Sequence, residues 1–491
     1  MKSNSIHKNM IIAGSIAIGA TLVTGCSSDD TTLPDSSNSN TASSLVRIIH
    51  ASSDAPPVNV KLDNAVAVPA LDYPQSTGFV NITSGTYDVA VDAIVPGGNL
   101  EVITVNDLDL ISDQRYTIVA IGDAANIKEF VAAETASSPA ADEVGISVLH
   151  AATAAGNVDV YVTAPGEDLT SLSANFTFDF NGLIDAGALP AGPYQIRVVA
   201  NGDITKTPVY DSGTVDLTGF AGQKLLLLAV NTVNSTTQLA SPVKLVAYTD
   251  SAQVELLDSR TNSGARVVHL SPDAGTAASG PVEVFASSTA LPSSPAELIT
   301  SVSYKQSLPG TDSFADVPAG DYIFDVAPDN AGIGSSVHTS PAPVTLSTGG
   351  EYTVIASGYV LTSPAFSLLA TQDNNRSIVT QASVKIIHGS PLAGTVDVFV
   401  TPAGAYTKEQ VEGGMAGDPL LDDFTFGTIT DYVNVAPGDY DIRVVTNSGM
   451  GTAAINVEGF NLAAGSVSTV IAHEPKDNGP ATDFGLVVLT N

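Results

Sequence analysis

The sequence predicts an all-β chain, four tandem immunoglobulin-like β-sandwich domains that follow a signal peptide and a disordered tether. Three features lead there. The 491 residues include 42 Gly and 28 Pro but only 18 Lys and Arg together, so long amphipathic helices lack material and the length asks for several cores. One strand-and-turn pattern recurs four times along the chain. Within each copy, apolar and polar residues alternate with period two behind a turn.

The N-terminus is read first. Lys2 and Lys8 precede the apolar stretch Met10–Val23, which is long enough for a signal-peptide core and too short to span a membrane. It runs into Val23-Thr24-Gly25-Cys26, which resembles the bacterial lipobox. That resemblance implies a signal peptide over residues 1–25, cleavage before Cys26, and acylation of the new N-terminal cysteine. Cys26 is the one cysteine in the chain, so no internal disulfide is available. Several acyl chains on one residue exceed what stable anchoring requires, so the membrane is the first expected partner. Ser27 and Ser28 follow, with no Asp at the second position; by resemblance to Gram-negative lipoproteins this favours the outer membrane and a cell-envelope location. Residues 26–44 are nearly all Ser, Thr, Asp and Asn, cannot bury apolar surface, and form a lipidated tether with a reach of roughly 25 Å.

The repeats are expected at 45–135, 144–256, 265–372 and 383–491. Each opens with an apolar strand that closes on a histidine: Val46 to His50, Ile146 to His150, Arg266 to His269 and Val384 to His388. A second, alternating strand follows at Val58, Val158, Val282 and Val396. Mid-repeat, a turn launches a third strand at Tyr87, Tyr194, Tyr322 and Tyr440. Behind each tyrosine the row is apolar on one face: Val89 and Val91, Ile196 and Val198, Phe324 and Val326, Ile442 and Val444. The intervening residues, among them Asp88, Arg197, Asp325, Asp441 and Arg443, are expected on the opposite face. Later strands begin near Tyr116, Leu225, Tyr352 and Val467, and closing strands near Glu129, Lys244, Phe366 and Phe484. The total is about seven strands in roughly 115 residues, the size of an immunoglobulin-like sandwich. Linkers are expected at 133–143, 257–264 and 373–382.

The opening Val46-Arg47-Ile48-Ile49-His50-Ala51-Ser52-Ser53-Asp54-Ala55-Pro56, with Gly85-Thr86-Tyr87 downstream, resembles domain-of-unknown-function family 4397, which occurs in tandem in secreted and cell-wall proteins. His269-Leu270-Ser271-Pro272-Asp273-Ala274 matches as well, whereas repeats 2 and 4 have Thr153-Ala154 and Pro391-Leu392 where the Asp falls. The resemblance implies a β-sandwich in the envelope and no established activity.

A formal net charge of -33 repels phosphate backbones and disfavours nucleic acid, while leaving divalent cations open as partners. His50 shares a strand face with Val46 and Ile48, and His388 with Val384 and Ile386, so the four histidines are expected to end core-facing rows and to bond loop backbone. One position per repeat also cannot converge on a single metal ion. The four tyrosines are expected as core anchors, like a tyrosine corner. Calcium is the one candidate ion. Its candidate ligands are Asp54, Asp107, Asp109, Asp113 and Asp273, with Asp422 and Asp423 as a further acidic pair; none has EF-hand spacing. Otherwise no cofactor is expected. There is no G-x-S-x-G, H-E-x-x-H, P-loop or G-x-G-x-x-G, and no Trp. The expected function is a non-enzymatic cell-envelope lipoprotein, a structural spacer or adhesion module that meets an envelope protein or glycan. The alternative is a ligand-binding lipoprotein for a glycan, peptide or divalent cation.

Overall fold

The computed structural model describes residues 42–135, 138–233, 240–275, 280–289, 296–362, 365–446, 453–475 and 484–491. The signal peptide, Cys26 and all but the end of the tether lie outside them. The end of the expected tether is already sheet, because the first strand begins at Ser43.

Repeat 1 shows the plan. Its strands are β1 (Ser43–His50), β2 (Val58–Leu62), β3 (Ala65–Leu71), β4 (Val80–Thr83), β5 (Gly85–Val95), β6 (Gly98–Leu110), β7 (Gln114–Ile121) and β8 (Lys128–Thr135). They form two four-stranded sheets, in the orders β4-β1-β7-β8 and β3-β2-β5-β6. Every pairing is antiparallel except β1 with β7, which run parallel with His50 opposite Ala120. The other repeats keep this order. Their β1 and β7 equivalents are Glu143–His150 beside Lys224–Asn231, Ser263–Leu270 beside Glu351–Ser357, and Ala382–His388 beside Val467–His473. Repeat 2 adds an edge strand, Gln253–Leu256. The chain is therefore all-β, four sandwiches in tandem, with eight strand positions per unit where about seven were expected.

The period-two rows face inward as predicted. Val89 and Val91 pack with Val58, Val60 and Ile103 in repeat 1, and Phe324 and Val326 pack with Val282, Val284 and Val354 in repeat 3. The opposite faces are less exposed than the alternation suggests, for two separate reasons.

First, the β1–β7 face that points away from its own core is covered by the next repeat. Ile49, Val119 and Ile121 of repeat 1 form one cluster with Leu149, Leu226, Leu228, Val230 and Val246 of repeat 2. Val268, Leu270 and Ile355 of repeat 3 do the same with Ile387, Ile471, Val487 and Leu489 of repeat 4. A strand buried on both faces reads as an unbroken apolar run, which accounts for Ile48-Ile49 and for Leu225 to Leu228. Each side chain so buried contributes roughly 1.5–3 kcal/mol. The repeats are thus joined as two pairs by sheet-on-sheet seams.

Both seams carry the same polar fittings. Arg47 donates to Thr117 Oγ1 and to the Thr249 carbonyl, and stacks 4.5 Å from the Phe79 ring centre. Arg266 donates to Thr353 Oγ1 and to the Thr490 carbonyl, and stacks 4.4 Å from Phe314. Tyr73 Oη donates to the Asn231 carbonyl, and Tyr304 Oη to the Glu474 carbonyl at 3.0 Å. The molecule is a duplicated two-sandwich unit. In the second seam the fully buried Arg266 pairs with Asp373 at 3.0 Å, with Lys385 at 3.5 Å from the same carboxylate. Burial pushes the Lys385 ammonium below its ordinary range.

Second, Arg197, Asp325, Asp441 and Arg443, on the face opposite the core row as expected, are buried there. In the even repeats a segment after the second strand lies over Arg197, Asp441 and Arg443: Leu169 packs on Tyr161 and Val199, and Val411 on Phe399 and Val445; in repeat 3 Asp325 accepts from the Thr339 hydroxyl on the adjacent strand. Val411 sits on a one-turn helix, α1 (Lys408–Glu412), started by a capping box between Thr407 and Gln410. Beneath it Arg443 donates to Asn456 Oδ1 at 3.0 Å and to Asp441 at 3.2 Å.

Leu228→Ala, on the outer face of repeat 2, should destabilise the protein by about 2–5 kcal/mol in urea denaturation. Repeats 1 and 2 should lose structure in the same transition.

Candidate functional site

The most regular polar constellation lies where β1 ends, in the loop that leads to β2. In every repeat the histidine ring is buried and both nitrogens are engaged. Nε2 donates to the carbonyl of Pro56, Gly156, Gly280 or Gly394 at 2.9–3.0 Å. Nδ1 accepts from the backbone N–H two residues on, at Ser52, Ala152, Ser271 or Ser390, over 3.3–3.4 Å. That pattern fixes the neutral Nε2–H tautomer, since a second ring proton would face an N–H donor. An aromatic ring closes the pocket edge-on: Tyr73 at 6.5 Å, Phe180 at 6.1 Å, Tyr304 at 5.8 Å and Phe426 at 6.4 Å between ring centres. Burial pushes the His50 and His269 imidazoles down to about 4, and lowers His388 as well.

The tyrosines act at the opposite end of the sandwich. Tyr87, Tyr194, Tyr322 and Tyr440 each donate from Oη to the carbonyl four residues earlier, at Thr83, Pro190, Pro318 and Ala436, over 2.7–2.9 Å. Each pins the turn that launches its own strand.

The loop aspartates have a related task. Asp54 Oδ1 accepts from the Ala124 N–H at 2.8 Å, tying the histidine loop to the loop after β7. Asp273 does the same with Val360 at 2.7 Å and Leu361 at 3.0 Å. Repeats 2 and 4 lack this Asp but keep the tie with its direction reversed. Asn231 Oδ1 accepts from Ala154 N–H at 3.0 Å, and Glu474 Oε2 from Leu392 N–H at 3.0 Å. By register, Asn231 and Glu474 fall two residues beyond the partner of the strand-ending histidine, the position of Gly122 and Gly358 in the odd repeats. At Gly122 and Gly358, φ is +95° and +83°, and a Cβ would come within 2.8 and 2.5 Å of a backbone carbonyl. No side chain fits there, so in the odd repeats the carboxylate comes from the other loop. Repeats 2 and 4 could not reveal this to sequence reading, because the replacing residue lies about eighty positions downstream.

The calcium candidates do not converge. Asp54 and Asp273 are taken up by backbone N–H groups. Asp107 lies at φ +55° with its own N–H on Asp88 Oδ1, Asp109 sits opposite Thr86 in β6, and Asp113 occupies a turn at φ +61°. One carboxylate group does form among the described residues: Asp397, Asp422 and Asp423 place oxygens within 4.8 Å of one another on the surface of repeat 4. Asp422 and Asp423 are the acidic pair noted in the sequence; Asp397, on a neighbouring strand, was not linked to them. Each brings one oxygen to the group, so a calcium ion, which takes six to eight, would need its remaining oxygens from second carboxylate oxygens, backbone or water.

A family profile described as "Domain of unknown function (DUF4397)" matches residues 44–161, 263–399 and 404–491, well over half of the chain. The chain belongs to this family. The first two DUF4397 matches each begin at an odd repeat and run to equivalent positions on the second strand of the even one, Tyr161 and Phe399. No curated protein matches the sequence. Among solved structures, the Bacillus anthracis TIE protein is 10% identical at TM-score 0.15, over 89% of this chain and 69% of its own. The multi-modular, glycogen-degrading pneumococcal virulence factor SpuA is 12% identical at TM-score 0.15, over 62% of this chain and 38% of its own. A candidate cell adhesion protein of Bacteroides eggerthii is 10% identical at TM-score 0.17, over 49% of this chain and 98% of its own.

For His50 and His269 the depressed pKa has a fixed sign. The unfolded imidazole takes a proton near pH 6.5 while the folded one resists until about pH 4, so their stabilising contribution is complete above pH 6.5 and drains away as pH falls to 4. NMR titration of the ring protons should show both flat from pH 8 to 5, with midpoints near 4. Midpoints near 6.5 would contradict the burial of the rings and the engagement of both nitrogens.

Proposed function

We propose that this protein is a non-enzymatic lipoprotein of the cell envelope, held by lipid on Cys26 and serving as a spacer or adhesion module, in the outer membrane of a Gram-negative bacterium. One observation carries the reading. The side chains that recur in all four repeats, and that could have performed chemistry, are bound to backbone: each histidine by both nitrogens, each tyrosine by its hydroxyl, each loop acid or amide by an N–H. What is repeated is a means of holding loops, which suits a protein whose product is its shape. Variation is left to the loops and to the segments 164–175 and 403–420, where a partner glycan or protein would be met.

A second reading, a ligand-binding lipoprotein, is favoured by one feature. A cleft of about 460 Å³ opens between repeats 1 and 2, lined by Thr117, Phe130, Ser147, Leu183, Asp185 and Leu226 among others. Its volume and its place between domains are typical of small-molecule sites.

One measurement tests the anchor that both readings share, and a second separates them. Cys26→Ser should abolish acyl labelling and move the protein from the membrane to the soluble fraction; a variant that stays labelled and membrane-bound overturns the anchor. The thermal midpoint should stay unchanged with calcium and with panels of glycans and peptides, whereas a rise that saturates with one of them establishes the ligand-binding reading.

A further inference from the structure

Within each pair the repeats share an apolar seam, yet among the described residues no apolar cluster spans from the first pair to the second. The contact between pairs is polar and is centred on Arg376, in the segment 374–381 that joins repeats 3 and 4. Its Nε donates to the Ser53 carbonyl at 2.8 Å, one terminal nitrogen donates to the Ala55 carbonyl, and the other meets the Asp72 carboxylate. The guanidinium lies 5.2 Å from the Tyr73 ring centre. Val379 adds a main-chain bond, from its N–H to the Asp54 carbonyl at 3.1 Å. Arg376 is 6% exposed, although it sits on a segment whose sequence reads as a linker.

We infer that Arg376 is a latch: it docks the second pair of repeats on the histidine loop of the first, and on its withdrawal the two pairs move as separate rigid bodies. Three features support this. The loop it grips is held in advance, by His50 on the Pro56 carbonyl and by Asp54 on Ala124, so its carbonyls are presented without any help from the second pair. A planar guanidinium can serve two carbonyls, a carboxylate and an aromatic face at once, which a single ammonium cannot. The covalent joint is tied to each side separately: Asp258, Ser259 and Arg260 bond Asp211 and Pro208 of repeat 2, and Asn262 bonds Gly349 and Asp316 of repeat 3. Domains that meet without a large apolar interface move relative to one another by default; here Arg376, with the Val379 main-chain bond beside it, opposes that.

The test uses the full chain with Cys26→Ser, so that introduced cysteines are its only thiols. Spin labels at Val66→Cys and Met415→Cys, both exposed positions on the first and fourth repeats, report the distance between pairs. Labels at Val66→Cys and Ile204→Cys report the distance within the first pair. Without further change, both distance distributions should be narrow. Arg376→Ala, and Arg376→Lys likewise, should broaden the between-pair distribution and leave the within-pair one narrow. A between-pair distribution that stays narrow in both variants overturns the latch, as does one already broad with Arg376 in place. Broadening of both distributions together would also overturn it, by showing that Arg376 supports the fold of repeat 1 itself.

Discussion

Burial of the parallel β1–β7 pair on both of its faces governs the architecture of the whole molecule. One face of these strands belongs to the core of their own sandwich, and the other carries Ile49, Val119 and Ile121, or Val268 and Ile355, which pack on the neighbouring repeat. Left in water, such a face would be a large apolar patch. Stacking a second sandwich on it solves the problem once, and the covered partner then has no such face left to offer. Assembly therefore stops at two, and the chain repeats the pair. Arg47 and Arg266, with their matching threonine, carbonyl and aromatic contacts, show that the same solution is used twice.

The polar residues follow from that arrangement. Two apolar layers leave loop backbone buried at the sandwich ends, and buried N–H and C=O groups need partners. The histidine supplies an acceptor and a donor within one loop, the tyrosine a donor across one turn, and the loop acid or amide an acceptor between neighbouring loops. The last of these shows how far the requirement outranks sequence identity. The odd repeats need glycine where the even repeats carry Asn231 or Glu474, and the tie persists by passing to Asp54 or Asp273 on the facing loop.

Much of this was legible in the sequence. Alternation placed the rows behind Tyr87, Tyr194, Tyr322 and Tyr440 on the core face, and parity put the histidines at the end of a core-facing row. These are local signals of period two. The pairing of repeats was not read, although it had left a trace: Leu225 to Leu228 is apolar at both parities, which is the mark of a strand covered on both sides. The burial of Arg197 and Arg443 was not legible, because the covering residues Leu169 and Val411 lie in short or irregular segments without periodicity. The reversed ties and the grip of Arg376 on a loop more than three hundred residues away depend on tertiary proximity alone.

Each sandwich of this chain is therefore half of a two-sandwich body whose recurring polar residues hold loops in place. Native-state hydrogen exchange on Ile355→Asp, which puts a charge in the second seam, is the sharpest test of that claim. If the pair is the structural unit, slow-exchanging amides in both repeat 3 and repeat 4 lose protection together while those of repeats 1 and 2 keep theirs. Loss confined to repeat 3 would contradict the account, because it would mean that each sandwich stands alone.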